Sequence, residues 1–181
     1  MAEQKFTPRA ENVLRLAQET ALELGHGYVG CEHILLGLLR EDGGAACRAL
    51  GEAGVTEEQL REQLVRTVGH GLSGSLPSQG LTPRARSAVE MAAAEAMRFA
   101  SPRIGTEHLL LALAMQPQGA DGRLLHWAGL TGPEIAAAVL RLHGRGAPSD
   151  VLPQGLTQTA RRAVSRALNG PLHSAARPTG K

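Results

Sequence analysis

The chain has 181 residues, 43% of them hydrophobic, which is enough to bury the core of one large domain or two small ones. Two Phe, one Tyr and one Trp leave little for aromatic and β-branched strands or for base-stacking surfaces, so close-packed helices of Ala, Leu and Val are expected. The net charge of +2 is unevenly spread: residues 1–140 hold 12 Lys/Arg against 16 Asp/Glu, and residues 141–181 hold 7 against Asp150 alone, which excludes a nucleic-acid groove from the body and confines any polyanion binding to the tail.

Cys31 and Cys47 are too few for a disulfide framework or a zinc site. No apolar signal segment opens the chain, and no stretch reaches the 18 or more apolar residues of a membrane span. A cytoplasmic, all-α protein is the expectation.

A shift of seventy-five positions superposes the chain on itself. Thr-Pro-Arg-Ala at 7–10 falls on the same four residues at 82–85, Gly30 on Gly105, Glu32-His33 on Glu107-His108, and Leu35, Leu36 and Leu38 on Leu110, Leu111 and Leu113. The register continues without a gap through Gly44-Ala45, Arg48, Leu50, Ala53-Gly54, Thr56 and Arg66, and about a third of the positions are identical. Two tandem repeats follow, at 5–68 and 80–143, each reading as four helices within one domain over 1–143.

The first helix of each repeat opens on Thr7-Pro8 or Thr82-Pro83, because Thr caps a helix start and Pro suits the first helical position. In the first repeat Ala10, Val13, Leu14, Ala17, Ala21 and Leu24 lie on one face. The turn "GHGYVG" leads into the helix carrying Gly-x-Glu-His. It matches G-x-G-x-x-G in form, but it follows a helix where a dinucleotide fingerprint follows a strand, so that reading is discarded. A short helix is predicted near 44–51 and 119–127. The fourth helix starts on a capping box, Thr56 with Gln59 and Thr131 with Glu134.

Residues 69–80 and 144–155 are turn-rich and read as linkers. Residues 156–169 match the opening of repeat two at the same offset: Ala160, Ala163, Val164, Ala167 and Leu168 share a face, with Arg161, Arg162 and Arg166 mostly opposite. They predict an extra amphipathic, basic helix that begins a third repeat, followed by a disordered tail at 170–181.

His33 and His108 each sit inside a leucine-rich helix, where an imidazole bonded to a loop carbonyl fixes the turn. Cys31 and His33 are two apart on a helix and point to different faces, so they are no nucleophile pair. No acid/base pair or metal cluster recurs in both copies, and an enzyme is not expected.

On the Thr-Pro-Arg-Ala and Gly-x-Glu-His-x-Leu-Leu elements, repeated at this spacing, residues 5–143 resemble the Clp N-terminal domain that precedes the ATPase rings of Clp unfoldases, in its ClpC form. The resemblance implies a pseudo-twofold eight-helix bundle of two four-helix repeats. The chain carries no G-x-x-x-x-G-K-[ST] phosphate loop, so it is no unfoldase by itself; it reads as an excised domain of a larger enzyme or, as the third-repeat opening and basic tail favour, as a free-standing ClpC-like N-domain protein, a monomer without cofactor or metal.

The same resemblance implicates the repeated Glu in recognising phosphoarginine, a mark on client proteins. Carried over, the site residues are Glu32 and Glu107, with Cys31 or Thr106 at the helix start and Thr7 and Thr82 as caps of the first helices. A carboxylate accepts a guanidinium bidentately, and phosphoryl oxygens suit open N–H groups. Cys31 is a poorer donor than Thr106, which implies a weaker first site. A second surface, for adaptors or cyclic peptides, maps to Lys5, Phe6, Leu81, Arg86 and Glu90. The expected function is a non-catalytic module that delivers or sequesters Clp clients. The alternative is a regulator that binds the Clp ring through its basic C-terminal helix.

Overall fold

The structure, a computed structural model, describes residues 5–72 and 80–143. The linker at 144–155, the third-repeat helix at 156–169 and the tail at 170–181 lie outside the described residues, as does most of the linker at 69–80.

Repeat one holds β1 (Lys5–Phe6), α1 (Pro8–Glu23), α2 (Cys31–Arg40), α3 (Ala45–Glu52) and α4 (Glu57–Val68). Repeat two holds α5 (Pro83–Arg98), β2 (Arg103–Ile104), α6 (Thr106–Met115), α7 (Gly119–Trp127) and α8 (Gly132–His143). The helix ends obey the seventy-five-residue shift everywhere except at the start of α7, one residue early.

Local chemistry explains those ends. Thr7 Oγ1 accepts from the Ala10 N–H at 3.2 Å, and Thr82 Oγ1 from the Ala85 N–H at 3.1 Å, with a proline in each first turn. Thr56 caps α4 through the Gln59 N–H at 3.3 Å. At α8 both halves of the capping box close: Glu134 N–H approaches Thr131 Oγ1 at 3.5 Å, and Thr131 N–H donates to Glu134 Oε2 at 2.8 Å.

On α1 the interior face is Ala10, Val13, Leu16, Ala17, Thr20 and Ala21. Leu16 is buried, while Leu14, predicted for this face, is only partly buried. Thr20 is tolerated inside because its hydroxyl donates to the Leu16 carbonyl at 2.8 Å. The leucine runs of α2 and α6 are buried almost all round, since both helices lie at the centre with neighbours on several sides.

The two repeats do not stack as separate bodies. Their contacts are reciprocal: α3 packs on α8 and α4 on α7, while α2 meets α6 and α7. Main-chain hydrogen bonds join them as well, through two short pairings within this all-α body. β1 pairs in parallel with β2, Phe6 opposite Ile104, and an isolated bridge pairs Val29 with Leu81 at the equivalent positions. Thr7 N–H donates to the Ile104 carbonyl at 2.9 Å, and Thr82 N–H to the Val29 carbonyl at 3.0 Å. These pieces are two residues long, and main-chain pairing of that length needs no strand-forming side chains. Each repeat's opening segment is thereby bound to the chain entering the other repeat's central helix.

Candidate binding sites at the starts of α2 and α6

The cross-repeat pairing places Thr82 beside the chain that enters α2, and Thr7 beside the chain that enters α6. Each acidic helix start is thus met by the Thr-Pro-Arg-Ala segment of the opposite repeat.

The Gly-x-Glu-His element is a self-contained helix start. Gly30 N–H donates to His33 Nδ1 at 2.9 Å, and Gly105 N–H to His108 Nδ1 at 2.8 Å. The Glu side chain folds back over the glycine, so a Cβ on Gly30 would stand 2.6 Å from Glu32 Cδ, and one on Gly105 2.7 Å from Glu107 Cδ. No other residue leaves that space. The carboxylates therefore lie against the positive ends of α2 and α6. Their exposure differs: 9% of the Glu32 side chain is accessible and 14% of that of Glu107. Burial is the main cause that holds the Glu32 carboxyl above its usual range, with the Asp121 charge adding to it, against the pull of its own backbone N–H, His26 and Arg84.

Cys31 and Thr106, one residue earlier, are interior residues at 3% exposure each. Burial raises the Cys31 thiol to about 12, so it stays protonated and unreactive at neutral pH. Thr106 Oγ1 accepts from the Ala46 N–H of α3 at 3.2 Å and leans towards Glu107 Oε2 at 3.5 Å, which ties α6 to the other repeat. Both residues hold the helix starts in place from within.

Sequence reasoning missed an ion pair at each site. Arg84 grips Asp121 with two nitrogens, at 2.6 and 2.9 Å, and the Gln116 carbonyl at 2.6 Å. Asp121 is fully buried in the first turn of α7, and Arg84 acts electrostatically on both Cys31 and Glu32. Arg9 donates to buried Glu41 at 3.0 Å and to the Asp42 carbonyl at 2.7 Å, where Glu41 flanks Gly44 at the mouth of α3 near Thr106. The arginine of the repeated Thr-Pro-Arg-Ala was the available signal.

His33 departs from its predicted bond. Its Nδ1 accepts a backbone N–H, so its proton sits on Nε2, which faces His26 Nδ1 at 2.7 Å. His26 must then donate from Nε2 to the Gly69 carbonyl at 2.9 Å. The loop carbonyl is reached through a second imidazole. Tyr28 stacks on His26 at a centroid distance of 5.7 Å.

Of the second predicted surface, Leu81 and Arg86 line a common cavity with Tyr28, and Glu90 is exposed one turn further along α5. Lys5 and Phe6 are drawn elsewhere, to β2. Phe6 and Leu81 both pack partly buried against the core.

A sequence model of the Clp repeat (R) N-terminal domain matches residues 5–126 and, in a second placement, residues 80–170. The chain belongs to this Clp N-terminal repeat family. ClpC/MecB, a negative regulator of genetic competence in Bacillus subtilis, is 40% identical over 140 residues, covering 77% of this chain and 17% of that protein. The chaperone ClpB of Oceanobacillus iheyensis is 39% identical over 142 residues, again 77% of this chain and 17% of the relative. This Clp repeat chain therefore spans about a sixth of the length of those curated relatives. The N-terminal domain of the chaperone ClpD from Arabidopsis thaliana has the same fold, with a TM-score of 0.65 and 25% identity over 80% of this chain and 98% of that one.

Among the described residues no group of three or more His, Cys, Asp or Glu could hold a metal ion, and no helix is long and apolar enough to cross a membrane.

Proposed function

We propose that this Clp repeat domain is a non-catalytic receptor for client proteins or adaptors of the Clp system, with phosphoarginine as the mark it reads at two sites. Glu32 with Thr82 and Arg84 forms the first, Glu107 with Thr7 and Arg9 the second, and Cys31 and Thr106 brace them from within. The observation that carries the reading is the doubled geometry: a carboxylate folded over a glycine at each central helix start, met by the Thr-Pro-Arg-Ala segment of the opposite repeat, whose Arg84 acts electrostatically on Glu32. Phosphoarginine carries a cationic guanidinium and an anionic phosphoryl group, so a carboxylate next to a cation matches both ends. The buried Cys31 thiol and the fully engaged nitrogens of His33 leave no obvious nucleophile or general base at these positions.

Calorimetric titration with free phosphoarginine tests this. Two equivalents are expected for the wild type, tighter at the more open Glu107, with Glu32→Ala and Glu107→Ala each losing one and the double variant losing both. Absence of heat in the wild type, or unaltered binding in the double variant, removes phosphoarginine as the ligand.

A further inference from the structure

The turn between α1 and α2 anchors both ends of the linker that joins the repeats. At the near end the Gly71 N–H donates to the Leu24 carbonyl at 2.8 Å, and His26 Nε2 meets the Gly69 carbonyl at 2.9 Å. At the far end the Val29 N–H donates to the Gly80 carbonyl at 2.9 Å, and the Thr82 N–H to the Val29 carbonyl at 3.0 Å. The near contact is tight, since a Cβ on Gly71 would overlap the Gly25 carbonyl oxygen. The far anchor is main chain alone, whereas the near one includes a side chain that binds protons.

Protons can be counted along the near anchor. The Gly30 N–H enters the relay at His33 Nδ1, the Gly69 carbonyl accepts at its other end, and 2.7 Å separates His33 Nε2 from His26 Nδ1. Each ring carries one proton and all four nitrogens are used. A third proton sets two N–H groups against each other, either at that junction or at Gly30. His33 is fully enclosed and pinned by Gly30, so the ring that gives way is His26, and the Gly69 bond goes with it. Burial, and then His26, hold His33 down at about 3, in keeping with a closed relay that resists protons. Glu32 Oε1 lies 3.6 Å from His33 Nδ1, and its charge acts on His26 in favour of the added proton. Tyr28 stacks on His26 and keeps its own proton, because burial and then Glu32 push the phenol up. Glu23, which ends α1, is engaged by Arg40 and Arg61, Arg66 of α4 pairs with Glu62, and His70 beside Gly69 is exposed. In repeat two Ser101 takes the place of His26, and its hydroxyl donates to the Arg103 carbonyl at 2.8 Å.

We propose that the His26–His33 pair is an acid-released latch, which holds residues 69–72 on repeat one while the relay carries two protons and frees them when it takes a third. The start of α2 loses its tie to the linker in the same step. Among the described residues the start of α6 has no such tie, so acid acts through this route on one of the two acidic helix starts alone. The inference does not depend on what either helix start binds.

Amide hydrogen exchange of the full chain against pH, corrected for the intrinsic exchange rate, is the test. A freed imidazole binds its proton near pH 6.5, so below about that pH the opening constant at the Gly71 amide is expected to rise towards about tenfold per pH unit. The Thr82 amide, on the main-chain anchor, should hold steady over the same range. His26→Gln offers an acceptor to His33 and a donor to Gly69 but has no proton to gain, so the slope at Gly71 should flatten whatever the stability of the variant. His70→Gln should leave the wild-type slope unchanged. A Gly71 amide indifferent to pH in the wild type, an equal rise at Thr82, a slope that survives His26→Gln, or one that is lost in His70→Gln overturns the proposal.

Discussion

Repeats one and two share helix ends to within a residue, yet the interactions that hold their central helices are built from different amino acids. In repeat one the arginine of the opening helix pairs with Glu41, at the end of α2; in repeat two its counterpart pairs with Asp121, in the first turn of α7. The aligned positions are Gln116 and Ala46, neither of them charged. The place of a carboxylate near the mouth of the third helix has been kept while the residue supplying it has moved. The imidazole caps differ too: His33 continues through His26 to Gly69, whereas His108 has Phe99 at 5.7 Å and Ser101 where His26 would stand.

The ion pairs offer the largest break in that symmetry. Asp121 is completely buried and Arg84 is one-third exposed, so Arg84→Ala leaves an uncompensated interior charge and is expected to cost about 3–5 kcal/mol. Arg9 is 55% exposed, so solvent screens its side of the pair even though Glu41 is buried, and Arg9→Ala should cost less, about 1–2 kcal/mol. Urea denaturation of both variants measures the gap. Asp121→Asn combined with Arg84→Ala should recover part of the larger loss, because the stranded charge is then gone.

The imidazole chain comes next. His26→Ser, which imitates repeat two, leaves the His33 Nε2–H and the Gly69 carbonyl without their present partner and is expected to cost about 1–3 kcal/mol. His33 also sets a pH dependence. Burial, and then the neighbouring His26, hold it down at about 3 from 6.5, so the unfolded chain takes up the proton first. Its contribution is fully present above about pH 6.5 and is lost as pH falls towards 3, at up to about 1.4 kcal/mol per unit. Glu32 and Glu95 act in the opposite sense, since burial raises both above 4.5 and the folded form binds their protons first. The decline should therefore be cleanest between pH 6.5 and the upper carboxylate range, and His33→Gln should flatten it there. Melting temperature against pH is the measurement.

Helix number, helix ends and the repeat were legible because caps, prolines and leucine spacing are local signals that one offset brings into register. The sites were legible only in part. Glu32 and Glu107 stand out as identities under that offset, and Thr7 and Thr82 as caps. What the offset cannot show is that Thr82 lies beside the chain entering α2 and Thr7 beside the chain entering α6, since the pairing comes from how the repeats face each other. Asp121 and Glu41 were invisible for a sharper reason: each aligns with an uncharged residue, so a comparison of the copies discards both. His26 and Tyr28 were read as parts of a turn, because their bonds run to α2 and Gly69 rather than along the chain.

The smallest predicted effect lies at the turn after each first helix. Gly25 has φ +72°, and its counterpart Ala100 has φ +51°, the one non-glycine residue with positive φ among the described residues. A Cβ at that φ crowds the following carbonyl, a cost that glycine escapes. Ala100→Gly should stabilise the fold by about 0.5–1 kcal/mol, the strain relieved being partly offset by the freedom glycine adds to the unfolded chain. Gly25→Ala should not be the mirror image. Its Cβ would meet the Leu72 carbonyl oxygen at 2.7 Å, in a turn already fixed by the Gly71 N–H bond to the Leu24 carbonyl. Equal and opposite shifts in the two variants would mean that the turns are interchangeable; a larger loss at Gly25 is expected, because the segment after α4 closes over repeat one at that point.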